Sequence, residues 1–263
     1  LRSGPYDAPE FEWGFASSPV IHGNNVILQC DVLNGGFITV LDLETGKERL
    51  RIPRDDVATW STPLVHRNRI VCNGYREIGA YDLKTGKKIW WLKGGGDVPV
   101  PTPFIHRNLI FISSAHGRMN PIYAIHPDAV GDLTPDRKTP EGIAWWNPRR
   151  GSYIPTPIAL DGRLYIGNDR GILSCMDALN GREIYRHRIA AGQGESYSAS
   201  PVASGNNLFF TSEDGDIHVI EAGPEFKRLR TNSMKEVCMP TPAIDEGQIF
   251  IRTRTQIYCI GRP

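Results

Sequence analysis

Three repeated features of the sequence predict an all-β fold, a β-propeller of four-stranded antiparallel blades. The first is a hairpin motif in which an Asp is followed three and four residues later by Thr-Gly or Asn-Gly. The second is a Ser-Pro or Thr-Pro pair that recurs at steps of 40 to 54 residues, and the third is a block of three apolar columns that begins seven residues after each of these prolines. A period of about 40–45 residues with several short strands per unit is typical of a propeller blade.

The hairpin motif is complete at 80–90, where Asp82 and Gly86 mark the turn and Trp90 lies in the following strand. An Asp carboxylate caps turn amides, and Gly accepts the positive φ that a tight hairpin requires. Shorter copies occur at 40–47 and 175–185. Three copies of one hairpin indicate a repeat protein.

The Ser/Thr-Pro pairs predict where the blades start. Three adjacent apolar positions in each following strand indicate that both of its faces are covered, as in the middle of a blade between its neighbours. The predicted starts are Ser18, Thr62, Thr102, Thr156, Ser200 and Thr241. The three columns are Val26, Ile70, Ile110, Leu164, Leu208 and Ile249, then Ile27, Val71, Phe111, Tyr165, Phe209 and Phe250, then Leu28, Cys72, Ile112, Ile166, Phe210 and Ile251.

Each unit is therefore predicted to contain four strands, A to D, and residues 1–263 are predicted to form a single propeller domain. The longest unit carries its surplus at Pro127–Gly142, which is predicted to be an extended C–D loop. The last unit stops after its C strand, and Phe11–Trp13 is a plausible D strand without an A, B or C strand before it. These pieces either pair to close six blades, or the chain belongs to a ring of seven or eight blades, which the absence of an initial Met favours.

Composition excludes some classes of partner. A net charge of +1 provides no general attraction to nucleic acid or to an anionic membrane. No apolar run approaches the roughly 18 residues that a membrane span needs. The five cysteines are widely spaced and form no CxxC pair.

The motif Ala-x-Asp-x-x-Thr-Gly-x-x-x-Trp at 80–90 resembles the tryptophan-docking repeat of quinoprotein (PQQ-like) β-propellers, and the Ser/Thr-Pro strand starts extend the resemblance over nearly the whole chain. It is most similar to bacterial secreted PQQ-like repeat proteins, a group that includes the outer-membrane β-barrel assembly propeller lipoprotein. The resemblance implies an extracytoplasmic location, periplasmic or secreted, and a ring of commonly eight blades. It also implies a binding or assembly scaffold without catalysis.

The enzymes of this family imply an alternative function. Quinoprotein dehydrogenases use PQQ with calcium, a catalytic Asp and in many cases two adjacent cysteines. No two cysteines are adjacent here, and Cys72, Cys175 and Cys259 occupy repeat columns that other units fill with apolar residues, so we expect them to be packing residues. A non-catalytic protein without cofactor is thus favoured. The alternative is a PQQ-dependent dehydrogenase whose catalytic parts lie in further blades.

Two local patterns suggest metal ligands but fit ordinary structure better. Asp214-Gly215-Asp216 lacks the further carboxylates of a calcium loop and is predicted to be a B–C hairpin turn. His22, His66 and His106 share one offset in successive units. They would lie on separate A–B turns about one blade apart, too far to ligate one ion.

The candidate binding site follows from topology. In four-stranded blades the D–A and B–C loops share one side, and strand A lines the channel. The D–A loops here mix aromatic, Arg and Gly residues, a composition that resembles a binding surface for a protein partner or a small polar ligand. The alternative is that these residues are simply solvated loop residues. The candidate residues are Trp60, His116, Arg118, Arg149, Arg150, Tyr153, Glu195 and Tyr197.

Overall fold

The computed structural model describes residues 16–116, 119–136, 138–190 and 194–261, and these residues form strands and turns only. The strands assemble into six sheets in chain order, an all-β propeller-like fold, as predicted. The predicted D strand at Phe11–Trp13 lies outside the described residues. None of the described residues forms a helix of the length and apolar character that a membrane span requires.

Each sheet follows one predicted blade, and in all six a short strand begins directly after the Ser/Thr-Pro pair. The first sheet contains β1 (Val20–His22), β2 (Asn25–Cys30), β3 (Gly36–Asp42) and β4 (Glu48–Arg54), and the second β5 (Leu64–His66), β6 (Arg69–Cys72), β7 (Ile78–Asp82) and β8 (Lys88–Leu92). The third segment contains β9 (Phe104–His106), β10 (Leu109–Ser113), β11 (Ile122–Ile125), β12 (Gly131–Asp132) and β13 (Ile143–Asn147). The fourth sheet contains β14 (Ile158–Leu160), β15 (Arg163–Gly167), β16 (Ile172–Asp177) and β17 (Glu183–Arg188). The fifth contains β18 (Val202–Ser204), β19 (Asn207–Thr211), β20 (Asp216–Glu221) and β21 (Lys227–Ser233), and the sixth β22 (Ala243–Asp245), β23 (Gln248–Arg252) and β24 (Ile257–Gly261).

The predicted hairpin turn joins the third and fourth strands of three sheets. Asp42 Oδ1 accepts hydrogen bonds from the Thr45 amide at 2.7 Å and from the Thr45 hydroxyl at 2.8 Å. Asp82 and Thr85 repeat this geometry. Gly46 adopts φ +68°, the left-handed conformation that a side chain would disfavour.

The Ser/Thr-Pro pairs also link successive sheets through hydrogen bonds. The Ser18 amide donates to Thr62 Oγ1 at 3.0 Å, and the Ser200 amide donates to Thr241 Oγ1 at the same distance. The Thr156 amide likewise donates to Ser200 Oγ at 2.9 Å. The repeated hydroxyl therefore has a structural reason, because it satisfies a backbone donor of the preceding blade.

The surplus residues of the third unit form the predicted loop and also a short strand. Strand β12 pairs in parallel with β8, so the second sheet has five strands in the order β12-β8-β7-β6-β5. The Leu133 amide donates to the Trp91 carbonyl at 2.7 Å, and the Leu133 side chain is buried. The loop thus covers an edge strand of the neighbouring sheet, an edge that would otherwise expose unpaired backbone groups.

Contacts divide the chain into two compact units, one that ends at Tyr153 and one that begins at Ile154. In the first unit, apolar clusters lie between the first and second sheets and between the second and third. Trp90 is completely buried in the second of these clusters. In the second unit, equivalent clusters lie between the fourth, fifth and sixth sheets. Whether residues 1–263 act as one domain stays a prediction.

The cysteine prediction is correct for two residues and wrong for the third. Cys72 and Cys175 are completely buried, whereas Cys259 is exposed. Cys259 lies on β24, which pairs with β23 on one side and has no other strand partner among the described residues. The repeat column predicts a buried side chain at this position, but no neighbouring strand covers β24 among the described residues, so Cys259 is exposed.

Candidate functional site

The D–A and B–C loops contact one another in both units. In the first unit, the Gly96 amide of a D–A loop donates to the carbonyl and the hydroxyl of Ser114 in a B–C loop, each at 3.0 Å. In the second unit, the Glu213 amide donates to the Ser196 carbonyl, and the Cys238 amide to the Glu213 carbonyl. The two loop classes thus lie on the same side of the sheets, and we call this side the loop face of each unit.

The most distinctive feature of the first unit's loop face is His116. Its Nδ1 lies 2.5 Å from Asp97 Oδ1, and its ring centroid lies 4.7 Å from that of Tyr153. Both His116 and Asp97 are nearly half exposed. We refer to His116, Asp97, Tyr153 and the neighbouring Met119 as the His116 site.

The backbone of His116 is held in a conformation that is rare for a non-glycine residue. Its φ is 147°, and its amide donates to the Met119 carbonyl at 3.2 Å. Such a conformation costs of the order of 1–3 kcal/mol and persists where the surroundings enforce it, often at functional sites. Here the D–A loop packs closely against the backbone next to His116. A Cβ at Gly96 would lie only 2.4 Å from the carbonyl carbon of Ala115, the residue before His116.

A histidine fixed by a carboxylate at Nδ1 has a defined orientation and presents Nε2 to an incoming group. The same pairing occurs in hydrolytic triads, but those also need a nucleophile beside Nε2. Among the contacts of the described residues, no Ser, Thr or Cys side chain hydrogen-bonds to His116. An exposed imidazole held beside the Tyr153 ring can recognise a partner by a hydrogen bond and by aromatic contact.

The structure gathers only part of the predicted first-unit set around His116. Tyr153 belongs to the site. Arg149 is exposed near the start of the same loop, and its amide donates to Asn147 Oδ1 at 3.0 Å. Arg150 is half-buried. Trp60 lies in a different D–A loop, and its amide donates to the Pro99 carbonyl at 2.9 Å. Arg118 lies outside the described residues.

The predicted residues of the second unit form a separate cluster. Glu195 Oε2 accepts hydrogen bonds from the Tyr197 hydroxyl at 2.6 Å and pairs with His218 Nε2 at 2.9 Å. His218 is buried on β20, and its Nδ1 lies 3.0 Å from Thr231 Oγ1. The Tyr197 ring is also buried, and burial followed by its hydrogen bond to Glu195 raises the pKa of its hydroxyl well above the ordinary value. Tyr197 therefore positions Glu195, whose side chain is one-fifth exposed.

A buried polar cluster fixes the first D–A loop. Arg54 Nε lies 2.6 Å from Asp31 Oδ1, and Arg54 Nη2 lies 3.2 Å from Asp56 Oδ2. The Tyr81 hydroxyl accepts from Arg54 Nη1 at 3.0 Å. Asp56 in turn accepts from the backbone amides of Tyr75 and Arg76, at 3.2 and 3.0 Å, which attaches this loop to the next B–C loop.

Electrostatic interactions keep Arg54, at the centre of this cluster, positively charged. Burial, the largest single influence, would lower the pKa of Arg54, but Asp31 together with Cys72 and Tyr81 outweighs it and raises that pKa well above the usual range. Burial raises the pKa of the nearby Cys72 thiol to about 12, so this thiol stays protonated at neutral pH. The cluster is thus built for structure, with a permanent cation held between carboxylates.

Sequence reasoning missed Asp97, His218 and the Arg54 cluster as individual residues. Asp97 lies in a D–A loop 19 residues before His116, and no local pattern marks a pair at that separation. Asp31, Arg54 and Asp56 lie on a B–C loop, a strand end and a D–A loop, with no fixed spacing that would mark them. The sequence signal for this cluster is Arg54 itself, a charged residue at the end of a strand in which apolar and polar residues alternate.

The histidines and the Asp-Gly-Asp segment that resemble metal ligands lie at strand ends and in a turn. His22, His66 and His106 each end a short first strand, as expected. Asp214 and Gly215 form the turn before β20, with the Gly215 amide bonded to the Ser212 carbonyl at 3.0 Å. Within the described ranges, no three His, Cys, Asp or Glu side chains come together in a way that could hold a metal ion.

Six sheets of this order with repeated Asp-Thr-Gly hairpins are those of a PQQ-like β-propeller repeat protein. The family described as outer membrane protein assembly factor BamB matches residues 8–129 and 138–262, and the chain belongs to that family. No curated protein sequence matches the chain significantly.

Solved structures confirm the propeller fold. BamB from Moraxella catarrhalis superposes with a TM-score of 0.69 at 15% identity, over 92% of this chain and 70% of that protein. Quinohemoprotein alcohol dehydrogenase from Comamonas testosteroni superposes with a TM-score of 0.65 at 12% identity, over 84% of this chain. This chain spans 43% of the length of that enzyme. The C-terminal WD40 domain of Sif2 is similar at the same level, with a TM-score of 0.67 at 12% identity. At these identities the likeness concerns the fold.

Proposed function

We propose that this protein is a non-catalytic, extracytoplasmic propeller that acts as a binding or assembly scaffold, with a protein partner bound at the loop face. The observation that carries the proposal is the His116 site, where Asp97 and a strained backbone fix an exposed imidazole beside Tyr153. Rigid, exposed polar and aromatic groups are the usual anchors of protein recognition because little conformational entropy is lost on binding.

The family suggests which class of protein the partner belongs to. The family is that of an outer membrane protein assembly factor, and the similar Moraxella protein is BamB. By this analogy the partner is a component of the outer-membrane protein assembly machinery, and the protein is periplasmic. Fold alone does not determine function, so the proposal depends on the site and needs a direct test.

Site-specific photo-crosslinking in the native host tests the proposal. A photoreactive phenylalanine analogue replaces Met119 at the His116 site or, as a control, Leu43 in a C–D turn, and these two side chains are about equally exposed at 40% and 41%. We expect position 119 to crosslink to one assembly-machinery protein, identified by mass spectrometry, and position 43 not to do so. Equal crosslinking at both positions, or none at position 119, would contradict the proposal.

The second candidate function is a PQQ-dependent dehydrogenase, favoured by the structural similarity to the quinohemoprotein enzymes. Titration of the full-length protein with PQQ and calcium separates the two functions, with quinone absorbance and calorimetry as readouts. We expect no calcium-dependent quinone binding. Tight binding that requires calcium would establish the enzymatic alternative.

A further inference from the structure

The last sheet carries an apolar pocket rimmed by arginines, apart from the residues discussed so far. Its cavity has a volume of about 490 Å³ and opens on the loop face of the second unit. Val237 and Met239 in its wall are large apolar side chains that are 44% and 53% exposed. The lining residues are Val237, Met239, Pro240, Arg252, Thr253 and Arg254.

The wall of this pocket is anchored from behind. Cys238 lies between Val237 and Met239 and is completely buried against Ile217 and Ile251. The Cys238 amide donates to the Glu213 carbonyl at 3.0 Å, and the Arg254 amide donates to the Val237 carbonyl at 2.9 Å. With the middle residue fixed inward, its two neighbours are directed outward, because side chains alternate in an extended segment.

The two arginines differ in their surroundings. Glu236, next to the pocket, accepts hydrogen bonds from Thr253 and Thr255, which lower its pKa with a smaller contribution from Arg254. Arg252 is exposed, and none of the hydrogen bonds or ion pairs among the described residues involves its guanidinium. Within the described ranges the pocket therefore offers the Arg252 cation without a bound partner, the Arg254 cation near Glu236, and apolar walls.

We propose that this pocket binds a short segment of a protein partner in which an Asp or Glu lies beside a large apolar side chain. A guanidinium pairs with a carboxylate through two parallel hydrogen bonds, and the exposed Val237 and Met239 side chains bury the apolar neighbour. This inference rests on the proposed scaffold function and adds a second contact, with a defined chemistry, on the other unit.

Methyl NMR of the full chain tests the inference, because the sequence has only four methionines. The probe is the peptide acetyl-Ala-Glu-Phe-Glu-Ala-amide, compared with its counterpart in which Gln replaces both Glu residues. We expect a saturable shift of the Met239 methyl signal with the acidic peptide. We expect affinity at least fivefold weaker with the Gln peptide, or with the acidic peptide and the Arg252→Gln variant.

Arg170→Gln is the matched control, since Arg170 is another exposed arginine of the second unit and lies outside the pocket. This variant should keep the wild-type affinity within twofold. An unshifted Met239 signal, equal affinity for both peptides, or a response only to phosphatidylglycerol vesicles would overturn the inference. Crosslinking at position 119 tests the His116 site independently of this pocket, so failure of the pocket is distinguishable from failure of the proposed function.

Discussion

Arg54 and Asp31 form a buried ion pair, with Arg54 Nε 2.6 Å from Asp31 Oδ1 and both side chains at most 2% exposed. This pair joins the end of β4 to the first B–C loop, and Arg54 also pairs with Asp56 in the first D–A loop. One side chain thus fixes two loops of the loop face. The stability of that face depends on a few buried polar contacts in addition to the apolar cores.

Removal of the Arg54 charge should destabilise the first unit strongly. Arg54→Met leaves Asp31 and Asp56 buried without their cation, and loss of one partner of a buried pair costs about 3–5 kcal/mol in free energy of unfolding. Urea denaturation measures the change. The control Arg49→Gln removes an exposed ion pair with Asp42 and should leave the urea midpoint unchanged. A similar response of both variants would contradict a structural role for the buried pair.

Alanine substitutions at Gly215 and Gly205 distinguish the cost of a steric clash from the cost of backbone strain alone. Gly215 and Gly205 both adopt positive φ, but a Cβ at Gly215 would lie 2.0 Å from the Glu236 carbonyl oxygen, whereas a Cβ at Gly205 would have no atom within 4 Å. Gly205→Ala should cost about 1 kcal/mol, as the loss of a glycine at positive φ usually does. Gly215→Ala should cost about 1–3 kcal/mol more, because it forces the B–C and D–A loops apart. Equal thermal unfolding temperatures for the two variants would rule out the close loop contact.

The Asp42 turn predicts a specific pH dependence. Hydrogen bonds from the Thr45 amide and then from the Thr45 hydroxyl hold the pKa of Asp42 below its ordinary value. Because the folded state favours the ionised carboxylate, the turn contributes stability above the ordinary Asp pKa and loses it as the pH falls through the lowered pKa. Thr45→Val removes the hydroxyl donor and should raise the pKa of Asp42 in an NMR titration. Thr85→Val, the matched change in the second turn, should leave that pKa unchanged.

Trp90 should stabilise the folded state through the volume of its side chain and not through a hydrogen bond from its ring nitrogen. The side chain is completely buried, and its Nε1 has no hydrogen-bond partner in the described structure. Trp90→Phe keeps most of the apolar contact and removes an unsatisfied donor, whereas Trp90→Ala should cost about 3–5 kcal/mol through the cavity that it leaves. Urea denaturation that shows equal losses for both substitutions would mean that the indole nitrogen is bonded.

The repeat allowed most of the fold to be predicted from the sequence. The Ser/Thr-Pro pairs, the Asp-Thr-Gly turns and the apolar columns are local signals, and each corresponds to a local structure: a strand start, a capped hairpin and a covered strand. The parallel strand β12 carries no such signal, since a Gly-Asp pair in a Pro-rich loop forms a strand only where a neighbouring edge accepts it. Cys259 shows the opposite case, a repeat position without the neighbour that would bury it.

The candidate site was less predictable because its geometry depends on contacts between distant loops. Sequence reasoning identified His116, Tyr153, Glu195 and Tyr197 from loop composition. It could not pair His116 with Asp97, or Glu195 with His218, since these contacts follow from how one loop packs on the next. It also could not foresee that Tyr197 is buried, because an aromatic residue in a loop packs inward or outward according to its neighbours.

The most direct test of the central claim is the affinity of the partner found by crosslinking for the full-length protein and its Asp97→Asn variant, measured by calorimetry. Asn cannot supply the charge that orients His116, so the scaffold function predicts at least tenfold weaker binding. Asp55→Asn, a change at an exposed carboxylate of another D–A loop, should bind within twofold of the wild type. Unchanged affinity for Asp97→Asn would contradict recognition through the His116 site.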